Sequence, residues 1–350
     1  MASPSSGDLS SVGPASAGPS SIDLSSIGRR FAAVIVNYNG GSMLAECVRS
    51  CLAESIPAAQ IFVVDNGSRD GSIEALELHV PGIQVVRNRC NAGFARAVNQ
   101  GIRQSSSEFV LLLNNDARLE KGALAAFAED FDERPKLAIA GAQLHSPDGR
   151  LQSAFAPLPS VAEELLPLAL LRLFAPERFR RKTDQTEPMA VECVLGACLC
   201  VRAQFLPRLG LLDEDYFFFF EEMEWCRRAR QMGLEVWYLP AAKAVHGGGA
   251  TAGRFRGPAR VEYQRSKLIF FRKTRPRVSY CIVSAFLVVR TFLNATASAV
   301  ACVLTLFLNR KLRSKAGTYG YLLAWNLLLR PAHWGLPEKC PPNPSTPGSR

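Results

Sequence analysis

The sequence lacks the residue patterns of several common binding sites. Its ten cysteines include no C-x-x-C pair, and the group of Cys193, Cys198 and Cys200 has no second pair and no histidine nearby. This spacing argues against a zinc site and against a disulfide framework, so we expect reduced, mostly buried thiols of a cytosolic protein. Neither G-x-G-x-x-G nor G-x-x-x-x-G-K followed by Ser or Thr occurs. A dinucleotide-binding site and a P-loop therefore lose their main support.

A secretory signal and a serine-hydrolase elbow are also missing. Residues 1–28 contain ten Ser, four Gly and three Pro, with no basic segment and no long apolar run, which predicts a disordered leader over residues 1–29. The segment HGGGAT, residues 246–251, could form the oxyanion hole of an α/β-hydrolase, but the G-x-S-x-G elbow of those enzymes does not occur. We therefore do not expect a hydrolase.

Acidic residues are scarce in the C-terminal third, which carries the excess of positive charge. The net charge is +10, yet residues 254–350 hold 17 Lys and Arg against 2 Asp and Glu, whereas residues 1–253 hold 24 against 29. The basic residues flank apolar segments, the longest uninterrupted one being the 18 residues from Thr291 to Leu308. An anionic membrane surface is therefore a better partner than nucleic acid.

The apolar segments themselves are slightly short for a spanning helix and have basic clusters on both sides. We therefore predict that residues 256–335 form a basic, hydrophobic helical region, peripheral or monotopic at the cytoplasmic face of the membrane. Residues 336–350 are predicted to be a disordered tail. The alternative for the helical region is a subdomain that packs on the core or contacts a second copy.

Between these segments, apolar strands alternate with helical patterns. Runs of this kind are typical of strands buried on both faces, and the alternation predicts an α/β fold with a doubly wound, mostly parallel sheet over residues 30–255. Ligands bind such sheets outside the carboxyl ends of the strands. The predicted strands are AAVIVNYN (32–39), IFVVD (61–65), IQVVRN (83–88), FVLLLNND (109–116), VECVLGACLCV (191–201) and VWYLP (236–240).

Carboxylates stand where such a site would lie. Asp116 follows a buried strand and two asparagines, a position suited to a Mn²⁺ or Mg²⁺ ligand, although an Asx-turn would also explain it. Asp65 begins DNGS and could accept hydrogen bonds from a base or ribose, or form a turn. Glu222 lies in the first turn of a predicted helix, where it could serve as a general base or stabilise the helix N-terminus. The apolar residues 217–220 before it would raise its pKa.

Taken together, these segments resemble the family 2 glycosyltransferases of the GT-A fold, in particular the rhamnosyltransferase-like branch. The resemblance runs from about Phe31 to Thr251. It is carried, in order, by AAVIVNYNGG, VVDNGSRDGS, NRCNAGFARAVNQGI, FVLLLNNDARLE, VLGACLCVRAQFLPRLGLLDEDYFFFFEEMEWCRRARQMG and HGGGAT.

The resemblance implies roles for individual residues. Glu222 is the catalytic base, as a glutamate where the family usually has aspartate, and Asp116 and His246 hold the divalent metal. Asn114 replaces the first aspartate of the family's D-x-D-like motif, which removes one anionic ligand, and Thr251 stands where the branch often has serine. The nucleotide-sugar site is formed by Asn37, Asp65, Asn66, Asn91, Gly93, Asn99, Asn114 and Asn115.

The implied enzyme is an inverting, metal-dependent glycosyltransferase. It would move one sugar from a nucleotide-sugar donor to a hydroxyl of a lipid-linked or polysaccharide acceptor. The branch suggests dTDP-rhamnose as the donor, but UDP-sugars and GDP-sugars use the same strand ends. The Q-x-x-R-W signature of the processive synthases is missing, so we expect one transfer per encounter. The alternative is a non-catalytic GT-A-like scaffold or binding protein of a polysaccharide assembly complex. A nucleotidyltransferase would need a Gly-rich N-terminal loop with Arg or Lys, which the chain lacks.

Overall fold

Eleven strands and twelve helices are resolved in the computed structural model, which describes residues 24–179, 185–248 and 256–340. The strands are β1 Phe31–Asn37, β2 Ile61–Asp65, β3 Gln84–Arg87, β4 Phe109–Asn114, β5 Ala117–Leu119, β6 Leu137–His145, β7 Phe155–Ala156, β8 Met189–Ala190, β9 Cys193–Val194, β10 Cys198–Arg202 and β11 Glu235–His246. The helices are α1 Leu24–Arg29, α2 Ser42–Ala53, α3 Ser72–His79, α4 Phe94–Ile102, α5 Ala123–Glu133, α6 Val161–Leu165, α7 Leu168–Phe174, α8 Leu206–Leu209, α9 Glu221–Gln231, α10 Arg256–Thr274, α11 Arg277–Leu304 and α12 Arg310–Leu327.

The main sheet has the strand order β3-β2-β1-β4-β10-β6-β11-β5, with β8 paired to β11. The first four strands in that order are parallel, as predicted. From β10 onward the sheet is mixed, because β10 runs antiparallel to both β4 and β6, and β5 runs antiparallel to β11. The predicted α/β, GT-A-like architecture is confirmed, with a larger antiparallel part than the sequence indicated.

Three strands differ in detail from the prediction. The run predicted as one strand over residues 191–201 is two, β9 and β10, separated by the turn that contains Gly196. Strand β11 continues well past VWYLP to His246, because its second half pairs with β5. Strand β6 was missed, although it is buried almost throughout and pairs with both β10 and β11.

The core lies on both faces of the sheet and is dense in aromatic rings at one end of β1 and β4. The rings of Phe31 and Phe109 have centroids 5.1 Å apart, and Phe109 stacks on Phe131 at 4.6 Å. All three side chains are fully buried. Burial of a phenylalanine side chain stabilises a fold by about 1.5–3 kcal/mol, so this cluster anchors the end of the sheet opposite the polar strand ends.

The C-terminal region is helical, as predicted. Helix α10 packs on the core through Val261, Phe270 and Phe271, none of which is exposed. Within the described part of the chain, α11 is the one helix long and apolar enough to cross a membrane, and only 22% of its most apolar window is buried. Its exposed side chains include Val289, Phe292 and Leu293.

Both predicted disordered ends contain ordered residues. Helix α1 covers residues 24–29 of the predicted leader, and Ile27 packs on the core; residues 1–23 lie outside the described part. At the other end, Lys339 pairs with Asn91 in a parallel bridge, and Cys340 forms a disulfide with Cys90. The prediction that all cysteines are reduced is therefore wrong for this pair. No local pattern reports it, because 250 residues separate the two cysteines.

Candidate active site

The parallel register brings the polar strand ends together, as the fold predicted. Asn37 stands opposite Asp65 at the ends of β1 and β2. The Asn37 amide nitrogen donates to Asp65 Oδ1 at 3.0 Å, and Asn115 Nδ2 donates to Asn37 Oδ1 at 3.0 Å. All three side chains are buried. They form one network that fixes the backbone at the carboxyl edge of the sheet.

Asp65 also organises the turn that follows it. Its Oδ2 accepts from the backbone N–H groups of Gly67 and Ser68 at 3.2 and 3.0 Å, and its Oδ1 accepts from the Ser68 hydroxyl at 2.5 Å. These bonds use most of the carboxylate's acceptor capacity. Asp65 therefore forms the turn that follows it, which was one of the two roles predicted from the sequence. Its contact with a nucleotide stays a prediction.

A cleft of about 100 Å³ opens beside this network. Gly93, at its wall, has a φ of 88°, and a Cβ there would lie 2.7 Å from the carbonyl oxygen of Phe217, so only glycine fits. Asn91 Oδ1 accepts from the Gly93 N–H at 3.1 Å, and Asn66 Nδ2 donates to the Gly93 carbonyl at 3.2 Å. The predicted site residues that line the cleft are Asn66, Asn91, Gly93, Asn114, Asn115 and Asp116.

Asn99 is not among the residues that line this cleft. Its Nδ2 donates to the Leu212 carbonyl at 2.8 Å and to Glu214 Oε1 at 3.0 Å, and its Oδ1 accepts from the Leu212 N–H at 3.0 Å. The side chain is 1% exposed. The observed role of Asn99 is to tie α4 to the loop before α9.

Several residues of the cleft were not predicted from the sequence. Tyr38, Phe217, Phe218 and Leu336 also line it. Tyr38 directly follows Asn37, and its position next to a predicted residue was a usable signal. Leu336 comes from the C-terminal segment, whose return over the cleft no sequence pattern indicates. The cleft is smaller than the roughly 300–1,000 Å³ typical of ligand pockets, and Leu336 forms part of its wall.

Asp116 and His246 meet at one edge of the cleft. His246 Nε2 lies 3.5 Å from Asp116 Oδ1 because His246, at the end of β11, pairs with Ala117 of β5. Gln152 Nε2 donates to the His246 carbonyl at 2.9 Å, which turns the Gln152 Oε1 toward His246 Nδ1 at 2.8 Å. With the Gln152 amide oriented in this way, His246 Nδ1 donates to Oε1 and Nε2 faces Asp116.

This pair suits a divalent cation. His246 Nε2 is buried and has no hydrogen-bond partner among the residues that the structure describes, and an imidazole held through its other nitrogen is a common ligand arrangement. No cluster of three or more His, Cys, Asp or Glu side chains is found in the described ranges, so a cation here needs further oxygen ligands from a bound diphosphate and water. Thr251 lies outside the described residues.

Glu222 occupies the first turn of α9, as predicted. Burial raises its pKa to about 7, and backbone N–H groups, including that of Gly196, partly oppose this shift. Its Oε2 is buried without a hydrogen-bond partner in the described part of the chain. Burial, followed by the nearby Glu222, raises the pKa of Glu221 well above its ordinary value. A carboxyl with a pKa near 7 can accept a proton at neutral pH.

Glu222 connects to the strand end that carries the metal-ligand candidates. A Cβ on Gly196 would lie 3.7 Å from the Glu222 carboxyl carbon. The carbonyl of the next residue, Ala197, accepts a backbone hydrogen bond from the Asn114 N–H at 3.0 Å. The turn between β9 and β10 thus joins Glu222 to the end of β4. Residues 217–220 were predicted to surround Glu222 with apolar side chains. Two of them, Phe217 and Phe218, line the cleft.

The glutamate at 224 is structural. Its carboxylate forms an ion pair with Arg228 at 2.7 Å. Arg228 also donates to the carbonyls of Leu209 and Leu211, at 2.6 and 2.9 Å. This network anchors α9 and so fixes the direction of Glu222.

Comparison with known proteins matches the same region to one family. Residues 32–203 match the family model described as glycosyl transferase family 2. An N-acetylglucosaminyl-diphospho-decaprenol L-rhamnosyltransferase of Mycobacterium tuberculosis is 24% identical over 253 residues, which cover 68% of this chain and 82% of that protein. The low-salt glycan biosynthesis hexosyltransferase Agl10 of Haloferax volcanii is 22% identical over 291 residues, covering 77% and 86%.

Solved structures show distant similarity. A mannosyltransferase from Pyrobaculum calidifontis, in complex with GDP-Man and Mn²⁺, has a TM-score of 0.49 at 15% identity over 85% of this chain and 86% of that one. S. aureus TarS has a TM-score of 0.46 at 17% identity over 74% of this chain and 43% of that one. The family match and the related sequences agree with the sheet and the polar strand ends: residues 32–203 form a glycosyl transferase family 2 domain, and the chain is a glycosyltransferase.

Proposed function

We propose that this enzyme transfers one sugar, with inversion, from a nucleotide sugar to a hydroxyl of a lipid-linked acceptor at the cytoplasmic face of the membrane. The proposed donor is dTDP-rhamnose, in line with the relative that is named as an L-rhamnosyltransferase for N-acetylglucosaminyl-diphospho-decaprenol. The observation that carries the proposal is the arrangement at one strand end. Asp116 Oδ1 lies 3.5 Å from His246 Nε2, which has no hydrogen-bond partner among the described residues, and the turn at Gly196 joins that strand end to Glu222.

The proposed reaction is a single displacement. The acceptor oxygen attacks the anomeric carbon while the bond from that carbon to the diphosphate oxygen breaks, and Glu222 takes the acceptor's proton. The raised pKa of Glu222, about 7, suits this role because the carboxylate is then a stronger base and is still partly ionised at neutral pH. Asp116 and His246 would hold Mn²⁺ or Mg²⁺, which when bound neutralises the leaving diphosphate.

The other residues of the cleft would position the donor. Asn66, Asn91 and the Gly93 backbone are connected by hydrogen bonds, so their polar groups have fixed directions toward the nucleotide. Fixed donors and acceptors lose little entropy when the ligand binds. Asn114 and Asn115 lie next to Asp116, where they would contact the sugar or its diphosphate.

The exposed apolar face of α11 and the basic C-terminal third support membrane attachment. Anionic lipid attracts the Lys and Arg side chains, and the apolar side chains would enter the interface. A lipid-linked acceptor would then be held in the same plane as the enzyme.

Transfer assays test the proposal. Radiolabelled dTDP-rhamnose, N-acetylglucosaminyl-diphospho-decaprenol and Mn²⁺ should give a labelled lipid with the wild-type enzyme. Asp116→Ala should lower the rate by at least about a hundredfold while the protein stays folded, because the divalent cation that neutralises the diphosphate loses a ligand. Glu133→Gln, on the exposed side of α5, is the control and should behave as wild type. Wild-type rates in Asp116→Ala would refute the assigned site.

A further inference from the structure

A second polar cavity lies between the C-terminal helices, away from the donor cleft. It has a volume of about 360 Å³ and is enclosed by α10, α11 and α12. Its wall carries Arg260 and Lys267 from α10 and Arg290 from α11, together with Gln264, Tyr263 and Tyr319. Of these cationic side chains, Lys267 is buried, whereas Arg260 and Arg290 are exposed to solvent. Like charges that line one cavity repel one another.

The positive charge of this cavity is only partly compensated. Glu164 forms an ion pair with Lys267 and lies 3.6 Å from Arg290. Arg260 makes no ion pair with any residue that the structure describes; it packs over the ring of Tyr263 at 5.7 Å. Burial lowers the pKa of Lys267, which is 6% exposed, so an added anion would stabilise its charged form.

Gln264 gives an independent indication of a ligand. Its side chain is 4% exposed, and its Nε2 has no hydrogen-bond partner within the described ranges. A buried amide donor without an acceptor is costly in a folded protein. Since Gln264 lines the same cavity as the three cations, an anionic oxygen placed there would satisfy the donor and the charges together.

The cavity continues toward the catalytic helix. A neighbouring cavity of about 690 Å³ shares Tyr263 and Lys267 with it and reaches Phe220 and Met223, the residues on either side of Glu221 and Glu222. The Tyr263 ring has its centroid 5.2 Å from that of Phe220. Tyr263 therefore stands at the junction between the cationic cavity and the proposed base.

On its other side the cavity borders the apolar face of the helical region. Arg290 lines the cavity from α11, whereas Val289, Phe292 and Leu293 of the same helix are 54–60% exposed. A third cavity of about 480 Å³ shares Arg260, Tyr263 and Tyr319 and adds Lys311 and Lys315. A ligand that fits these surfaces has a compact anion for the cationic cavity. It has a long apolar chain for the exposed face of α11, and a sugar on the side of the catalytic helix.

We propose that this cavity binds the diphosphate of a polyprenyl-diphosphate-linked sugar acceptor, with Arg260, Lys267, Arg290 and Gln264 as its contacts. The sugar would then extend past Tyr263 to Glu222, and the polyprenyl chain would follow the exposed face of α11. This assignment rests on the proposed function, whose acceptor it locates.

The test measures lipid binding apart from sugar transfer. The full-length enzyme is titrated with N-acetylglucosaminyl-diphospho-decaprenol in neutral detergent, with no donor present. Arg260→Gln should raise the Kd at least tenfold, and because Arg260 makes no ion pair in the described structure the variant should fold. Arg290→Gln provides a second variant. Arg313→Gln, exposed on α12 and outside the cavity, is the matched control and should bind as wild type.

Two further arms identify the source of the anion. Inorganic pyrophosphate should compete with the lipid in the wild-type enzyme and should do so less well in Arg260→Gln. Glycerol 3-phosphate, which has the phosphate of phosphatidylglycerol without its apolar chains, should compete poorly; competition as strong as that of pyrophosphate would overturn the proposal in favour of a general phosphate site. An unchanged Kd in both Arg260→Gln and Arg290→Gln would also overturn it.

Failure of this proposal differs from failure of the proposed function. If the cavity assignment is wrong, labelled sugar transfer by the wild-type enzyme persists while the two variants keep normal lipid binding. If the proposed transfer is wrong, no labelled product forms, yet Arg260→Gln still loses lipid binding. In the transfer assay, Arg260→Gln should raise the KM for the acceptor. In a separate thermal-shift measurement, dTDP should stabilise this variant as much as it stabilises the wild-type enzyme.

Discussion

Individual side chains at this site are set by burial and by the groups that hold them. Asn37, Asp65 and Asn115 were predicted to meet because parallel strands end at one edge, and they do. The sequence could not show which partners their polar groups bind. The backbone N–H groups of the DNGS turn also donate to the Asp65 carboxylate, which leaves it fewer free acceptor positions for a ligand. Asn99 illustrates the same limit, as its amide serves a loop more than a hundred residues away.

The pKa of Glu222 gives a prediction for the rate. Because burial raises this pKa to about 7, kcat/KM should rise with pH through that value and level off above it. Glu222→Gln should lower kcat by about 10²–10⁴-fold and remove this rising limb. A pH–rate profile of both proteins checks the prediction, and an unchanged rising limb in Glu222→Gln would assign it to another group.

The same pKa predicts an effect on stability with a definite sign. A glutamate carboxyl ordinarily has a pKa of 4.5, so between that value and about 7 the unfolded chain loses its proton first. The folded state therefore binds more protons, and stability falls as pH rises across this window. Glu222→Gln removes the ionisable group and should raise the Tm relative to wild type at pH 8, but not at pH 4. Equal differences at both pH values would contradict the assignment.

Gln152 has a positioning role that can be measured without turnover. It fixes the tautomer of His246 by hydrogen bonds at 2.8 and 2.9 Å. Gln152→Leu should weaken Mn²⁺ binding by about 10–100-fold, as is usual when the partner of a histidine ligand is lost. Titration calorimetry with Mn²⁺ and dTDP measures this, with the exposed Gln104→Leu as control. Unchanged Mn²⁺ affinity would mean that Gln152 does not position His246 for metal binding.

At the scale of elements, long apolar runs were predicted well. The strands β1, β2, β3 and β4 and the start of α9 at Glu221 all agree with the sequence pattern. The antiparallel β10 was predicted as a strand but not its direction, because an apolar run buried on both faces carries no sign of orientation. The elements that pack through distant contacts, such as the segment with Leu336, were beyond any local pattern.

That C-terminal segment should control entry of the donor. Leu336 lines the cleft, Glu338 accepts a hydrogen bond from Tyr38 at 2.9 Å, and the Cys90–Cys340 disulfide holds the segment in place. Cys340→Ser removes the covalent tie and leaves the segment held by backbone hydrogen bonds to Asn91, so it should move away from the cleft more often and the Kd for dTDP should fall by about threefold to tenfold. Dithiothreitol should have the same effect on the wild-type protein.

The free thiol of Cys281, which is exposed, offers the matched control. Cys281→Ser should leave the dTDP affinity and its response to dithiothreitol as in wild type. If Cys340→Ser binds dTDP no more tightly than Cys281→Ser does, the segment does not restrict the cleft. Fluorescence titration with a labelled nucleotide separates these outcomes.

At the scale of the whole molecule, positive charge and exposed apolar side chains are concentrated in the C-terminal third of the chain. Residues 254–350 carry the chain's excess of Lys and Arg, and the exposed face of α11 adds apolar area beside them. Composition alone predicted a helical, membrane-directed region. It could not predict that Arg290, an apparent interruption of the apolar run, lines a cavity between the helices.

Binding to vesicles tests the membrane-directed face. The protein should sediment with phosphatidylglycerol vesicles, and less so as salt increases, because screening weakens the attraction to basic residues. Phe292→Glu with Leu293→Glu should reduce binding at least about tenfold, since two exposed apolar side chains no longer enter the interface. Leu78→Glu, on exposed α3, should sediment as wild type does. Equal sedimentation of all three proteins would exclude this face as the contact.

The central claim is a single displacement with Glu222 as base, and the anomeric configuration of the product tests it most directly. The wild-type enzyme is given dTDP-rhamnose, Mn²⁺ and a soluble analogue of the N-acetylglucosaminyl diphosphate acceptor, and the first product is examined by proton NMR. One displacement predicts a glycosidic bond of the opposite configuration to the donor. Retention of configuration would contradict the account, because it would require a second displacement that this site does not explain.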